Sequence, residues 1–244
     1  MYMTKNFGFK QVDEKTHRAS VDGVFSSVAN KYDVMNDFMS LGLHRLWKRN
    51  MINELAPRKG LKYLDVAGGS GDISFRAWER GADVTLTDIN PDMLQVAKNK
   101  AVDKGFLERI NFAVVNAEKM PFADNSFDIA GIAFGIRNVT YIDKALSEFY
   151  RVLKPGGKFV CLEFSHLNND LLQKIYDAYS FNIIPKLGGA VANDEASYQY
   201  LVESIRKFPA AEDFAAMIES AGFAKVKFRK LNHGIVAIHS GWKV

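Results

Sequence analysis

Two aspartates bracket a glycine-rich turn, and a third lies further along the chain. Asp65 and Asp72 flank Ala67-Gly68-Gly69-Ser70-Gly71. A turn of this kind lets backbone N–H groups approach a ligand closely. A pyrophosphate fingerprint requires G-x-G-x-x-G, yet Gly69-Ser70-Gly71 is followed by Asp72-Ile73-Ser74, so the third glycine is missing. The two carboxylates would also repel phosphate. They suit a cation that carries a sulfonium and an amino group. Asp88 can accept hydrogen bonds from both hydroxyls of a ribose. Asn116-Ala117-Glu118 can meet an adenine edge and ring face. Taken singly, Asp88 also reads as a helix cap and Asn116 as a turn residue.

The elements that must position these residues alternate between strand and helix from 61 to 164, the pattern of a parallel sheet covered on both faces. Leu61–Val66 reads as a strand that enters the glycine turn, followed by a helix to Arg80 stopped by Gly81. Val84–Asp88 is the second strand. Asn90 caps a helix with Pro91 at its first position, and Met93, Leu94, Ala97 and Ala101 mark its buried face. Ile110–Val115 and Phe127–Phe134 are the third and fourth strands. A helix from Ile142 to Lys154 turns at Pro155-Gly156-Gly157 into a fifth strand, Lys158–Phe164. The acidic hook, glycine turn and Asn-Ala pair thus fall on successive strand ends, where open α/β sheets bind ligands. Their register points to S-adenosylmethionine, with Asp65, Gly69, Gly71, Asp88, Asn116 and Ala117 as its contacts.

A last helix ends at Gly222, and Val226–Phe228 and Ile235–Ile238 form a hairpin around Asn232-His233-Gly234. Five parallel strands closed by such a hairpin resemble the layout typical of class I methyltransferases, and the fold that follows is what that resemblance implies. The expected fold is therefore α/β and Rossmann-like: a mostly parallel seven-stranded sheet with a carboxy-terminal antiparallel hairpin. One domain is expected over 1–244. It comprises an N-terminal helical cap (20–55), the core (61–164), a helical substrate-side insertion (168–208), and the final helix and hairpin (212–244).

Composition narrows the partners. The 244 residues carry a net charge of +4, with no basic run longer than two residues, unlike a nucleic-acid footprint. No nucleic-acid partner is expected. Cys161 is the single cysteine, which fits a reducing compartment. The first 15 residues resemble neither a signal nor a transit peptide. The longest apolar stretch, Ile129–Ile136, is far shorter than the ~18 residues of a membrane span. A cytoplasmic protein, at most peripheral at the inner membrane face, is expected. No metal-ligand spacing is present.

Other absences narrow the acceptor. The chain has six prolines, none adjacent, and so lacks the Asn/Asp-Pro-Pro-aromatic signature of amino-methyltransferases. Cys161 within a strand is a poor covalent nucleophile. The blocks Val24-Phe25-Ser26-Ser27-Val28-Ala29-Asn30-Lys31-Tyr32-Asp33-Val34-Met35-Asn36-Asp37, Leu64-Asp65-Val66-Ala67-Gly68-Gly69-Ser70-Gly71-Asp72, Phe134-Gly135-Ile136-Arg137-Asn138-Val139 and Tyr150-Arg151-Val152-Leu153-Lys154-Pro155-Gly156-Gly157 resemble the signatures of the ubiquinone/menaquinone biosynthesis C-methyltransferases. Tyr176-Asp177-Ala178-Tyr179-Ser180-Phe181 and the segment from Val191 to Arg206 match as well.

The resemblance implies methyl transfer from S-adenosylmethionine to a ring carbon of a polyprenylated benzoquinol or demethylmenaquinol. It adds Ser70 to the cofactor contacts and repeats Asp88 and Asn116-Ala117. Some relatives carry a serine where this chain has Ala133, so that hydroxyl contact is not expected. Arg137 takes an implied place at the active site. As a guanidinium it would stabilise a developing phenolate rather than accept a proton, with Asn138 and Tyr32 orienting the hydroxyl. The wider readings are C- or O-methylation of another lipophilic phenol, and a non-catalytic cofactor-binding subunit of a quinone-synthesis complex. A homodimer or such a complex is compatible with each.

Overall fold

The computed structural model describes residues 4–29, 36–37, 40–167, 180–181, 184–186, 189 and 194–244. Most of the expected 168–193 part of the insertion lies outside that set. Nine strands are described: β1 (Lys5–Phe7), β2 (Lys10–Val12), β3 (Lys62–Val66), β4 (Asp83–Asp88), β5 (Ile110–Val114), β6 (Phe127–Ala133), β7 (Leu153–Phe164), β8 (Ala224–Leu231) and β9 (Val236–Trp242). The described helices are α1 (Glu14–Val28), α2 (His44–Leu55), α3 (Asp72–Glu79), α4 (Pro91–Asp103), α5 (Ile142–Val152), α6 (Glu195–Lys207) and α7 (Ala211–Ser220).

Seven strands form one sheet in the order β5-β4-β3-β6-β7-β9-β8. Strands β3 to β7 run parallel, while β9 is antiparallel to both β7 and β8. The order reverses between β3 and β6, the place where such sheets open a crevice at their carboxyl ends. Both faces are covered, which explains why β3 shows no simple alternation of apolar and polar residues. Tyr63 packs on the face of α2, α3 and α4, and Leu64 and Val66 on the face of α5 and α7. Helix α5 docks through Ala145, Leu146, Phe149 and Val152, all fully buried. Burying each of the larger three contributes roughly 1.5–3 kcal/mol.

Three boundaries differ from expectation. Helix α1 starts at Glu14, where Asp13 caps it by accepting from the Thr16 N–H at 2.9 Å. Helix α5 ends at Val152, and β7 begins at Leu153, so Lys154-Pro155-Gly156-Gly157 belongs to an irregular first part of the strand. The reason is pairing: Leu153 sits opposite Phe127, while the Asn125 and Ser126 N–H groups take the Arg151 and Val152 carbonyls. The β1–β2 hairpin was not anticipated. Its anchors are distant in sequence, with the Phe7 ring stacked on Tyr200 and the Phe9 N–H donating to Glu203 Oε2 at 2.9 Å.

Candidate active site

The carboxyl ends of β3, β4, β5 and β6 open into a cavity of about 410 Å³. Ala67 and Gly69 follow β3, Asp88 ends β4 and Asn90 follows it, Asn116 and Ala117 follow β5, and Phe134 and Asn138 follow β6. Two of these turns are conformationally costly. Ala67 (φ 51°) and Phe134 (φ 56°) both occupy the left-handed region, at about 1–2 kcal/mol each. A Cβ on Gly135 would stand 2.7 Å from that of Ala67, so the two turns touch through a position that admits only hydrogen. Strain gathered at adjacent strand ends is what a preorganised site exhibits.

Asp88 is buried; its Oδ2 accepts from the Gly69 N–H and its Oδ1 from the Asn90 N–H, each at 2.9 Å. Burial raises its pKa to about 6, against the pull of those amides. It thereby ties the glycine turn to the β4 end, so the cap reading and the binding reading hold for one side chain. Asp65 is 1% exposed, and burial likewise raises its pKa to about 6. Its Oδ2 accepts from the Ser74 hydroxyl at 2.7 Å. Its Oδ1 has no hydrogen bond of good geometry, although the Tyr63 hydroxyl lies beside it. Asp65 faces a void of about 20 Å³ shared with Lys48, Ser70 and Asp72, room for about one water. An orphaned acceptor on a buried acid beside the glycine turn fits a ligand with a cationic amino group.

Asn116 Oδ1 accepts from the Glu118 N–H at 2.9 Å, forming the turn that brings Asn116 and Ala117 to the cavity wall. Gly71 caps α3 at φ 87°, where an added Cβ would strike the Phe75 ring at 2.6 Å. Ser70 is buried at the small void, and Ala133 also lines that void.

The residues expected to serve the acceptor separate. Asn138 lines the cavity; its Oδ1 accepts from the Tyr200 hydroxyl at 3.0 Å, while its Nδ2 is buried with no partner among the described residues. Arg137 is not among the described residues lining the cavity. Its side chain is 4% exposed and paired with Glu163, itself 1% exposed, at 2.8 Å. Arg137 also donates to the Phe134 carbonyl at 2.6 Å and to Ser204 Oγ at 3.3 Å. Its charge is thus compensated by Glu163, and it holds the Phe134 turn. Burial pushes the Glu163 carboxyl up and the Arg137 charge opposes it. Tyr32 lies outside the described residues.

Sequence reasoning missed the roof. Arg18, Asp22 and Phe25 project from α1 into the cavity, at spacings that place them on one helix face. Polar latches fasten this helix. Arg18 pairs with Glu118 at 2.6 Å, Asn90 Nδ2 donates to Asp22 Oδ1 at 2.7 Å and to Ser26 Oγ at 2.9 Å, and the Tyr141 hydroxyl donates to Glu14 at 2.9 Å. The same helix carries Val24 and Val28 in the core, and that apolar pattern is the stronger signal along it.

Residues 10–243 match the model of the ubiE/COQ5 methyltransferase family. The chain is 56% identical to the Brucella canis ubiquinone/menaquinone biosynthesis C-methyltransferase UbiE, over 99% of this chain and 92% of that one. Among solved structures it is similar to an S-adenosylmethionine-dependent methyltransferase of Thermotoga maritima, described as a possible histamine N-methyltransferase. The TM-score is 0.65 at 17% identity, covering 91% of this chain and 99% of that one. A second similar fold is Haemonchus contortus phosphoethanolamine N-methyltransferase 2 in complex with S-adenosyl-L-methionine, at TM-score 0.60, 18% identity, and 80% and 52% coverage.

Proposed function

From the premise that this chain belongs to the ubiE/COQ5 methyltransferase family, we propose that it methylates a ring carbon of a polyprenylated benzoquinol, demethylmenaquinol or both. It is an S-adenosylmethionine-dependent C-methyltransferase of ubiquinone/menaquinone biosynthesis. The observation that carries the site assignment is the cavity at the β3–β6 strand ends, where buried Asp88 and the Asn116–Ala117 turn meet.

Asp88 would hold the ribose hydroxyls, Asn116 and Ala117 the adenine, and Asp65 with Gly69, Ser70 and Gly71 the amino-acid end. When bound, S-adenosylmethionine supplies a methyl group on a sulfonium, which a nucleophilic carbon takes by direct displacement. The chain must do the rest. Helix α1 closes the cavity from above and keeps water from competing with the acceptor. A quinol ring carbon becomes nucleophilic once its neighbouring hydroxyl gives its proton to water or a carboxylate, and a hydrogen-bond donor at close range favours the phenolate so formed. After the methyl group arrives, the ring carbon's own proton leaves and the quinol is restored. Asn138, which lines the cavity, would turn its carboxamide to serve as such a donor. Arg137 serves from behind: with Glu163 and the Phe134 carbonyl it fixes the turn that carries Asn138.

A polyprenyl tail partitions into a bilayer, so the reading places the protein at the cytoplasmic membrane surface, without a spanning helix among the described residues. Leu41, 75% exposed, and Leu46, 39% exposed, stand beside Arg45 and Arg49 and support that placement.

The test separates an enzyme from a cofactor-binding scaffold. S-adenosylhomocysteine formation should depend on added demethylated quinol and stop when that quinol is exhausted. Cofactor binding without quinol-dependent turnover would defeat the reading.

A further inference from the structure

The buried face of helix α2 carries a lysine. Lys48 lies in a row with Trp47, Met51, Ile52 and Leu55, all buried. Its side chain is 7% exposed, and its Nζ pairs with Asp72 Oδ2 at 3.0 Å. The cost of burying an ammonium can exceed what a single ion pair returns. Asp72 already has a cation of its own, since Arg76, one turn on in α3, donates from Nε to Oδ1 at 3.0 Å. Burial pushes the Asp72 carboxyl up, but Lys48 and Arg76 outweigh it and hold the group at about 2. Asp72 is also the first residue of α3, and a helix dipole opposes a cation at that end. Stability alone is a poor reason for a lysine here.

Its surroundings give a better one. Lys48 lines the small void of about 20 Å³ together with Asp65, Ser70 and Asp72. Ala67 and Phe134 border both this void and the larger cavity, so the two spaces adjoin. Asp65, with an oxygen that lacks a well-formed hydrogen bond, and Lys48 therefore face one recess beside the cofactor cavity. An ammonium carries three N–H donors, so the pair with Asp72 leaves Lys48 able to hold a second carboxylate. At neutral pH the two acids balance Lys48 and Arg76. A recess that is neutral overall, with its charges separated, matches a zwitterion better than a simple cation. Room for about one water is room for a carboxylate oxygen.

We propose that Lys48 holds the carboxylate of the methionine part of S-adenosylmethionine, so that the chain reads its cofactor as an amino acid as well as a nucleoside. The inference rests on the cofactor assignment above and deepens it. With the ribose held at Asp88 and the amino acid at Lys48, the sulfonium between them is fixed from both sides.

The experiment uses the full chain without a methyl acceptor. Calorimetry measures binding of S-adenosylhomocysteine and of its decarboxylated analogue, which keeps the amine and lacks the carboxylate. The wild-type protein should bind the first about tenfold or more tightly than the second. Lys48→Met keeps the length of the side chain and removes its charge. It should weaken S-adenosylhomocysteine about tenfold or more and leave the decarboxylated analogue undiminished, so that the preference disappears. A lysine that only supports the fold would, on removal, weaken both ligands alike. Equal losses, an unchanged S-adenosylhomocysteine affinity, or a wild-type protein without the preference would overturn the proposal, and the last result needs no variant to fold. A wild-type protein that binds neither ligand would instead overturn the cofactor assignment beneath it.

Discussion

At the scale of single residues, the site is governed by two buried acids. Asp65 and Asp88 sit at about 6 in the folded protein and near ~4 in an unfolded chain. Between those values the folded state holds more protons, so these groups lower the stability of the ligand-free protein as pH rises through 6. A ligand that hydrogen-bonds to the carboxylates reverses the preference by selecting their ionised form. S-adenosylmethionine affinity should therefore fall on acidification below pH 6, roughly tenfold per carboxylate for each pH unit. Calorimetric titrations at pH 7.5, 6 and 5 measure this, and a flat profile would contradict the assignment. Arg137 and Glu163 lead to a different expectation. Arg137→Met strands a buried carboxylate and should cost about 3–5 kcal/mol in denaturant unfolding, whereas Arg137→Met with Glu163→Leu should recover most of it. Equal stability of the two variants would show that the pair is not a buried unit. Asp65 and Asp88 were legible in the sequence because their meaning comes from a glycine turn and strand ends close by. Glu163, Asp22 and Tyr200 were not, since their partners lie 26, 68 and 62 residues away.

At the scale of elements, the parallel core follows from local pattern and the surroundings do not. Alternating strand and helix signals placed β3 to β7 in order, and Asn90 and Pro91 marked the start of α4 through cap chemistry that needs no tertiary contact. The β1–β2 hairpin has three-residue strands and exists through Tyr200 and Glu203, which no local window contains. The Lys154-Pro155-Gly156-Gly157 boundary moved because pairing with Phe127 outweighs the helical pattern upstream. Helix α1 is the element whose behaviour tests the site best. Its polar latches are exchangeable with water, while Val24 and Val28 anchor it in the core, so opening it exposes apolar surface as well. Amide hydrogen exchange across Glu14–Val28 should slow when S-adenosylmethionine binds; exchange unaffected by cofactor would remove α1 from the site. Gly135→Ala belongs to this scale too, since its methyl group would collide with Ala67 and displace the turn carrying Asn138. It should weaken cofactor binding and turnover together.

At the scale of the whole molecule, the proposed placement at an anionic bilayer rests on a net charge of +4 and the exposed Leu41–Arg45–Leu46 edge. Sedimentation with anionic vesicles at low salt, lost at high salt, is the expected behaviour; equal binding to neutral vesicles would refute that electrostatic placement. The sheet, its order and the cofactor crevice could be foreseen because they are repeated local rules. The acceptor could not be read from spacing, because nothing in a ring carbon's recognition is periodic, and that half of the function rested on family resemblance. The central claim is therefore tested by where the methyl group goes. The protein is incubated with S-adenosylmethionine bearing a deuterated methyl, together with a demethylated polyprenyl benzoquinol or demethylmenaquinol, and the product is resolved by mass spectrometry and NMR. The account predicts the label on a ring carbon of at least one of the two. Label on oxygen, or on neither quinol, would contradict it.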